Sequence, residues 1–236
     1  EERYEEIIEA IDNYKNATTG SNANKWRNEA EERLSKHRKS LDGKVLQNFE
    51  EVGVSIDSEE LEEHSPFHYI LEFAEVYSKR GGFDVIVGNP PYIRIQELKK
   101  TQPKIVEYLG ESEEYETPYY NYDIAIPFTE RSHELLSEQG RMSFIMTNKW
   151  LQSRYGGKLR EKLADKKTVS SLIDFGDQQV FRGISTYVLI LSLTNSENDH
   201  IDYAEVDGIG EDLGVRLDEI SKKENNEYVS TFEASY

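Results

Sequence analysis

The first 80 residues carry apolar positions at helical spacing within a strongly charged background. Near the start these positions fall on one face of a helix: Ile7, Ile8, Ile11 and Tyr14. The stretch "NATTGSNAN" interrupts the pattern before a second helix at 26–40, so we predict a weakly cored helical hairpin. A further helix is predicted at 66–78, where Pro66 suits a helix start and "KRGG" suits an end.

From Gly82 onward the pattern becomes strand-like. Four short runs are rich in β-branched residues: "FDVIVG" (83–88), "RMSFIMT" (141–147), "VSSLIDF" (169–175) and "TYVLILSL" (186–193). Two helix-like segments lie between them, at 122–139 and 155–165. Strands that alternate with helices predict an α/β fold with a mainly parallel sheet.

The run "FDVIVG" is followed at once by "NPPY". Its near-continuous apolar core, "DVIV", is typical of a central strand that is buried on both faces. The loop then lies at the carboxyl end of a strand, the edge where ligands bind in open α/β sheets. Gly88 lets the backbone approach another group closely, and Pro90 and Pro91 stiffen the loop, so that Asn89 is presented in one pose. The alternative is a plain turn with a packed Tyr92.

Composition narrows the classes of protein further. The 236 residues include 46 acidic and 28 basic ones, with a net charge of −18, and the chain has no cysteine. Such a surface repels phosphate backbones as a whole, and its simplest explanation is adaptation to a salty or crowded cytoplasm. No apolar run approaches the roughly 20 residues needed to span a bilayer, so we expect a cytoplasmic protein. The five histidines show no metal-ligand spacing, and we predict no metal site.

One segment has the opposite charge. Residues 141–170 contain eight basic residues against two acidic ones. Basic segments attract DNA backbones through counterion release, and we assign backbone contacts to Arg154, Lys158 and Lys162. The alternative is an ordinary solvated helix face. Residues 101–140 and 197–236 are strongly acidic and are not expected to touch nucleic acid by themselves.

Taken together, these motifs resemble a known family. "FDVIVGNPPYI" resembles the catalytic motif of amino methyltransferases that use S-adenosylmethionine, especially adenine-specific DNA methyltransferases of the gamma type in fused restriction–modification and phage-exclusion enzymes. The block "NYDIAIPFTERSHELLSEQGRMSFIMTNKWLQSRYGGKLREKL" and the strands in "LIDFGDQQVFRGISTYVLILSL" follow in the order of that family. The likeness covers roughly residues 65–193 and implies strands four to seven of a Rossmann-like methyltransferase sheet, the last pair including an antiparallel partner.

The resemblance implies a role for each residue of the motif. The oxygen of Asn89 and the carbonyl of Pro90 would each accept a hydrogen from the 6-amino group of adenine, which aims its lone pair at the methyl group. Tyr92 would stack on a base flipped out of double-stranded DNA. The residues expected to border the substrate are Pro91, Phe181, Asn148 and Lys149. Phe181 could instead be a core residue before a turn, and core packing is the expected role of Trp150.

The resemblance also implies what residues 1–82 lack. The family holds S-adenosylmethionine mainly with a glycine-rich loop after its first strand, and no such loop follows an apolar strand here. We therefore expect 1–80 to be a helical insertion, 81–196 the catalytic half, and 197–236 the start of a target-recognition or linker region. Only Gly88 and Asn89 would approach the cofactor. The chain alone is expected to bind the cofactor weakly or not at all and to be inactive, and it could form a homodimer.

Two other functions share these residues. Methyltransferases that act on a protein glutamine amide or on guanine in ribosomal RNA carry a similar motif, because they also aim an amino lone pair. Their downstream segments are shorter and lack the "NYD…WLQSR" block. The third interpretation is a remnant that binds DNA or serves assembly without catalysis.

Overall fold

The computed structural model describes residues 2–181, 186–206, 208 and 229–234. The chain divides into two compact units, Glu1–Gly82 and Phe83–Tyr236.

The first unit is helical in the residues that the structure describes. Its helices are α1 Glu2–Lys15, α2 Gly20–Glu51, α3 Ser58–His64, α4 Tyr69–Glu72 and α5 Ala74–Arg80. The predicted hairpin of α1 and α2 is confirmed, although α2 is far longer than the predicted 26–40. Thr19 starts it early, because its side chain accepts a hydrogen bond from the Asn22 amide at 3.3 Å and so caps the helix.

The core of this unit is small, as the spacing predicts. Its fully buried members, Ile7, Leu71 and Ala74, are packed by a few half-buried aliphatic residues of α1 and α2. The single helix predicted at 66–78 is wrong in detail. It starts only at Tyr69 and breaks at Phe73, whose φ of −122° and ψ of 38° are not helical. Gly81 ends α5 as expected, in the left-handed region at φ 72°.

The second unit is built on one six-stranded sheet. Its strands are β1 Phe83–Gly88, β2 Leu136–Thr147, β3 Val169–Asp174, β4 Val188–Thr194, β5 Ile201–Val206 and β6 Val229–Ala234, in the order β1-β2-β4-β3-β5-β6. The described helices are α6 Ile95–Thr101, α7 Pro103–Glu111, α8 Ala125–Glu134 and α9 Gly157–Asp165. Two 3-10 turns, Asn148–Leu151 and Arg154–Gly156, precede α9.

The sheet is mixed, which corrects the prediction of a mainly parallel one. β1 is parallel to β2, and β3 to β5, whereas β4 is antiparallel to both β2 and β3, and β6 to β5. β4 follows β3 with no helix in the described part of the connection, and a chain that turns back directly gives an antiparallel pair. The order β1-β2-β4-β3 is that of strands four to seven, with the expected antiparallel partner. The fold is therefore α/β, with part of a Rossmann-like methyltransferase sheet.

Strand β1 differs from the fully buried strand that its composition predicts. Val85 and Val87 are 66% and 76% exposed, whereas Ile86 and Gly88 are half-buried. Among the described residues β1 pairs with β2 alone, so it is an edge strand with one face open. The core of the unit lies on the other face, where buried residues of β2 and β4 meet α8 and α9.

Two predicted boundaries also change. The helix expected at 122–139 ends at Glu134, and β2 begins at Leu136. The sheet does not end near residue 196, because β5 pairs in parallel with β3 and carries β6 on its outer side. Most of the remaining C-terminal residues lie outside the described part of the chain.

Candidate active site

The loop after β1 presents one polar side chain. Asn89 is exposed, and in the part of the chain that the structure describes nothing hydrogen-bonds its side-chain amide. Pro90 beside it is buried, and Pro91 is exposed. Both prolines restrict the backbone dihedral φ, so the loop has little freedom to turn Asn89 away. The carboxamide is therefore held at the sheet edge with its hydrogen-bonding capacity unused.

Tyr92 fixes the far end of this loop. Its hydroxyl donates a hydrogen bond of 2.8 Å to the carbonyl of Ile145 in the neighbouring strand β2. Burial raises the pKa of Tyr92, which keeps the hydroxyl protonated as a donor. The ring is half-buried, and the bond fixes the position of the hydroxyl end of the side chain.

Phe181 lies with Tyr92 on one hydrophobic cluster. Both side chains pack against this cluster, whose buried members are Phe175, Val188 and Val206. The two aromatic residues that the resemblance assigns to the base are thus brought to one cluster from positions 89 residues apart, although Tyr92 also packs against the main core of the unit. Phe181 is half-buried, which is compatible with a base-binding ring as well as with core packing.

Close packing against Phe144 explains why residue 88 is glycine. A Cβ atom at this position would lie 3.1 Å from Cε1 of Phe144, which is 1% exposed. The Phe144 ring in turn packs on Phe128 of α8, with 5.8 Å between the ring centroids. The close approach in the structure is therefore to a core ring, and the cofactor contact of Gly88 stays a prediction.

Asn148 is engaged within the protein. Its side-chain nitrogen donates to a carboxylate oxygen of Asp174 and to the carbonyl of Gly176, both at 3.0 Å. These bonds tie the end of β2 to the end of β3 and use both amide hydrogens, so Asn148 has only its side-chain oxygen left for a substrate. Lys149 is exposed, and Trp150 is 2% exposed in the core, as predicted.

Sequence reasoning missed a segment that pairs with the chain after the loop. The Ile95 amide donates to the Tyr122 carbonyl, and the Ile124 amide to the Ile93 carbonyl, both at 2.9 Å. Asp123 between them accepts a 3.1 Å hydrogen bond from the Tyr155 hydroxyl. Burial and the nearby Asp123 carboxylate raise the pKa of Tyr155 to about 12. The "NYD" triplet at 121–123 is the sequence feature that could have indicated this pairing, but the motif analysis assigns it no role.

Lys162 corrects the prediction of a DNA contact. Its side chain is 9% exposed, and its ammonium lies 2.5 Å from Glu130. Two further carboxylates, those of Glu116 and Glu134, lie 3.0 and 3.7 Å away. A cation surrounded in this way is neutralised within the protein and cannot reach a phosphate.

The other two predicted backbone contacts are on the surface. Lys158 is 52% exposed and lies 3.9 Å from Glu161. Arg154 is exposed, and no carboxylate among the described residues pairs with it. Lys158 and Lys162 therefore do not form one exposed face, although they are spaced by four residues on α9.

The described residues provide neither a metal site nor a membrane span. No group of three or more histidine, cysteine or acidic side chains among them could hold a metal ion. No helix in the same part of the chain is long and apolar enough to cross a membrane.

The described fold bears on the predicted contacts with S-adenosylmethionine. In its described part the unit before β1 consists of helices and their connections, with no strand to carry a glycine-rich loop. Gly88 and Asn89 at the end of β1 are the predicted contacts that the chain retains. Weak or absent cofactor binding by these residues stays a prediction.

Comparison with known proteins now identifies the family. Residues 2–181 match the model of the Eco57I restriction-modification methylase family, and the chain belongs to that family. It is 36% identical over 124 residues to the Type II restriction enzyme and methyltransferase RM.Eco57I of Escherichia coli. The aligned residues make up 52% of this chain and 12% of that protein. It is 40% identical over 101 residues to the Type II methyltransferase M.PaeR7I of Pseudomonas aeruginosa, or 43% of this chain and 17% of that one.

The chain spans less than a fifth of the length of these two relatives. A solved structure of the type IIG restriction endonuclease BpuSI aligns with 64% of this chain and 19% of its own, at 18% identity and a TM-score of 0.47. Because this likeness is weak, the fold assignment rests on the strand order of the sheet.

Proposed function

We propose that these residues form the catalytic part of a site-specific DNA methyltransferase of a restriction–modification or phage-defence system. Its reaction would move a methyl group from S-adenosylmethionine to the 6-amino group of an adenine flipped out of double-stranded DNA. The observation that supports this most directly is Asn89. It is exposed, has no hydrogen-bond partner among the described residues, and stands on a loop fixed by Pro90 and by the bond from Tyr92 to Ile145.

The proposed methyl transfer needs two hydrogen-bond acceptors for the amino group and no strong base. The lone pair of the 6-amino group is delocalised into the adenine ring, so the nitrogen is a poor nucleophile. The side-chain oxygen of Asn89 and the carbonyl of Pro90 would each accept one amino hydrogen and favour a more tetrahedral nitrogen. The catalytic contribution is positioning and electrostatic stabilisation by groups that are already in place.

Two aromatic rings would hold the adenine. Tyr92 and Phe181 pack against one hydrophobic cluster, and we assign both rings to the flipped adenine. A stacking contact with one aromatic ring is worth roughly 1–3 kcal/mol, comparable to the cost of taking a base out of the duplex. Pro91 and Lys149, both exposed, would border the base.

The rest of the proposal concerns the longer protein. The cofactor loop would lie in a part of the enzyme outside these residues, 1–80 would be an insertion, and residues beyond 196 would lead to target recognition. By itself the chain could pair through the open edge of β1 as a homodimer. The proposed partner is double-stranded DNA. Because cellular DNA lies in the bacterial cytoplasm, we expect the protein to act there.

The test is made with the full-length polypeptide encoded by the gene. DNA from cells that express it should contain 6-methyladenine at one sequence, and DNA from cells that express Asn89→Ala should not. DNA affinity should change little, because Asn89 acts chiefly in the transition state. Unmodified adenine together with methylated glutamine or ribosomal guanine would favour the related amino methyltransferases instead. DNA binding without any methyl transfer would favour the non-catalytic remnant.

A further inference from the structure

We propose that Tyr119, Tyr120 and Arg154 form a contact surface for the DNA strand beside the active site, with the ring of Tyr120 against a base and Arg154 on a phosphate. This inference rests on the proposed function, since it takes DNA as the substrate. It assigns a role to two tyrosines that the motif analysis left unassigned, and we call the three residues the tyrosine–arginine surface.

The three side chains form a cluster in which the two tyrosine rings are tilted by 42° to each other. The Arg154 guanidinium carbon lies 4.6 Å from the ring centroid of Tyr120 and 5.8 Å from that of Tyr119. The ring centroids of the two tyrosines are 6.4 Å apart, and Arg154 also donates a 3.3 Å hydrogen bond to the Tyr119 hydroxyl. These contacts hold the guanidinium in place and leave most of its donors unused.

Both parts of the surface are available to a ligand. Tyr120 is 62% exposed, so much of its side chain is open to solvent. Arg154 has no carboxylate partner in the described part of the chain, whereas Lys162 has three and Lys167 lies 3.7 Å from Glu197. In a chain with a net charge of −18, an unneutralised guanidinium over an open aromatic ring favours an anionic ligand with a flat base, which is a nucleotide of a DNA strand.

The loop that carries the two tyrosines is anchored at both ends. Before it, the buried carboxylate of Glu130 accepts hydrogen bonds from the backbone amides of Glu116 and Thr117, at 2.9 and 3.0 Å. After it, the Tyr122 carbonyl accepts from the Ile95 amide. Ile95 follows the Asn89–Tyr92 loop by three residues, so the second anchor connects the tyrosine–arginine surface to the candidate active site.

The backbone of Tyr120 has an uncommon conformation, which it shares with Ser65 and Lys167 among the described residues other than glycine. Its φ of 62° lies in the left-handed region, which tyrosine rarely adopts. Such conformations persist where the surrounding structure fixes them, and they concentrate at functional sites. Asparagine adopts this region much more readily. Replacement of Tyr120 by asparagine should therefore remove the ring without harming the fold.

Binding of the full-length polypeptide to duplex DNA, followed by fluorescence anisotropy at several salt concentrations, tests the surface. We expect Tyr120→Asn to weaken binding about 5- to 150-fold with the salt slope unchanged, because stacking carries no charge. Arg154→Gln should lower the magnitude of the slope by about 0.9, the value for one phosphate contact. Tyr120→Phe should bind like the wild type. Lys167→Gln, which removes an exposed but paired cation, is the matched control and should leave the slope unchanged.

Thermal unfolding of the same variants separates binding from folding. Tyr120→Asn should be at least as stable as the wild type, which a merely structural tyrosine would not allow. The inference is overturned if Tyr120→Asn binds DNA within twofold of the wild type, or if Arg154→Gln has the same slope as Lys167→Gln. Loss of methyl transfer in Asn89→Ala would then still support the proposed function. Wild-type protein that binds DNA but methylates no adenine would count against the proposed function alone.

Discussion

Lys162 and Glu130 form a buried ion pair, with 2.5 Å between the ammonium nitrogen and a carboxylate oxygen. The Glu130 side chain is fully buried, and that of Lys162 is 9% exposed. The same carboxylate also accepts a hydrogen bond from the Thr117 hydroxyl. The pair joins α8 to α9 and holds the loop that leads to the tyrosine–arginine surface.

Removal of the cation should destabilise the second unit strongly. In Lys162→Ala the Glu130 carboxylate stays buried with no cation beside it, and we expect a loss of about 3–5 kcal/mol in the free energy of unfolding. Urea unfolding measures this loss. Lys158→Ala, on the same helix but exposed, is the control and should change stability by less than about 0.5 kcal/mol. Similar stabilities for the two variants would show that the ion pair contributes little.

The pH dependence of stability should report on Glu130. Burial opposes its charge, but hydrogen bonds from Lys162 and Thr117 outweigh burial and lower the pKa of Glu130 below 4.5. A carboxyl group whose pKa is lower in the folded state stabilises the protein above its unfolded pKa, and this contribution is lost as the pH falls through the folded value. The free energy of unfolding should thus drop below about pH 4.5. Glu130→Gln should show a shallower drop in the same titration.

Two substitutions of Tyr92 should separate the role of its ring from that of its hydroxyl. Tyr92→Phe loses the hydrogen bond to the Ile145 carbonyl and should cost about 0.5–1.5 kcal/mol of stability, with methyl transfer largely kept. Tyr92→Ala also removes the ring and should weaken the capture of a flipped adenine. Urea unfolding measures the stability, steady-state methylation of a duplex with adenine at the target position measures methyl transfer, and the fluorescence of a second duplex with 2-aminopurine at that position measures capture of the flipped base. Equal damage in the two variants would contradict stacking as the role of the ring.

The isolated 236 residues should not bind the cofactor. The described part of residues 2–82 contains helices and connections, with no strand that could carry a glycine-rich loop. Isothermal titration of S-adenosylmethionine into the chain should show no heat of binding at ordinary concentrations. The same titration into the full-length polypeptide is the control. Tight binding by the chain alone would reveal a cofactor loop that both the sequence pattern and the fold failed to indicate.

The sequence alone determined the features that depend on neighbouring residues. β1 has the predicted bounds because a β-branched run is stopped by two prolines, and α5 ends at Gly81 because glycine adopts the left-handed region. The loop from Gly88 to Tyr92 could be predicted for the same reason, because the strand and the loop with its polar and aromatic residues lie within ten residues of sequence.

Only the tertiary structure decided which distant groups meet. Lys162 resembles a DNA contact in a basic segment until α8 brings Glu130, 32 residues earlier in the chain, to its ammonium. Asn148 is engaged because β3 places Asp174 beside it. Val87 is a typical core residue type but is 76% exposed, because no described element covers the face of β1 to which its side chain points. Ion pairing and burial depend on partners that folding supplies from far along the chain, and a local pattern contains no record of them.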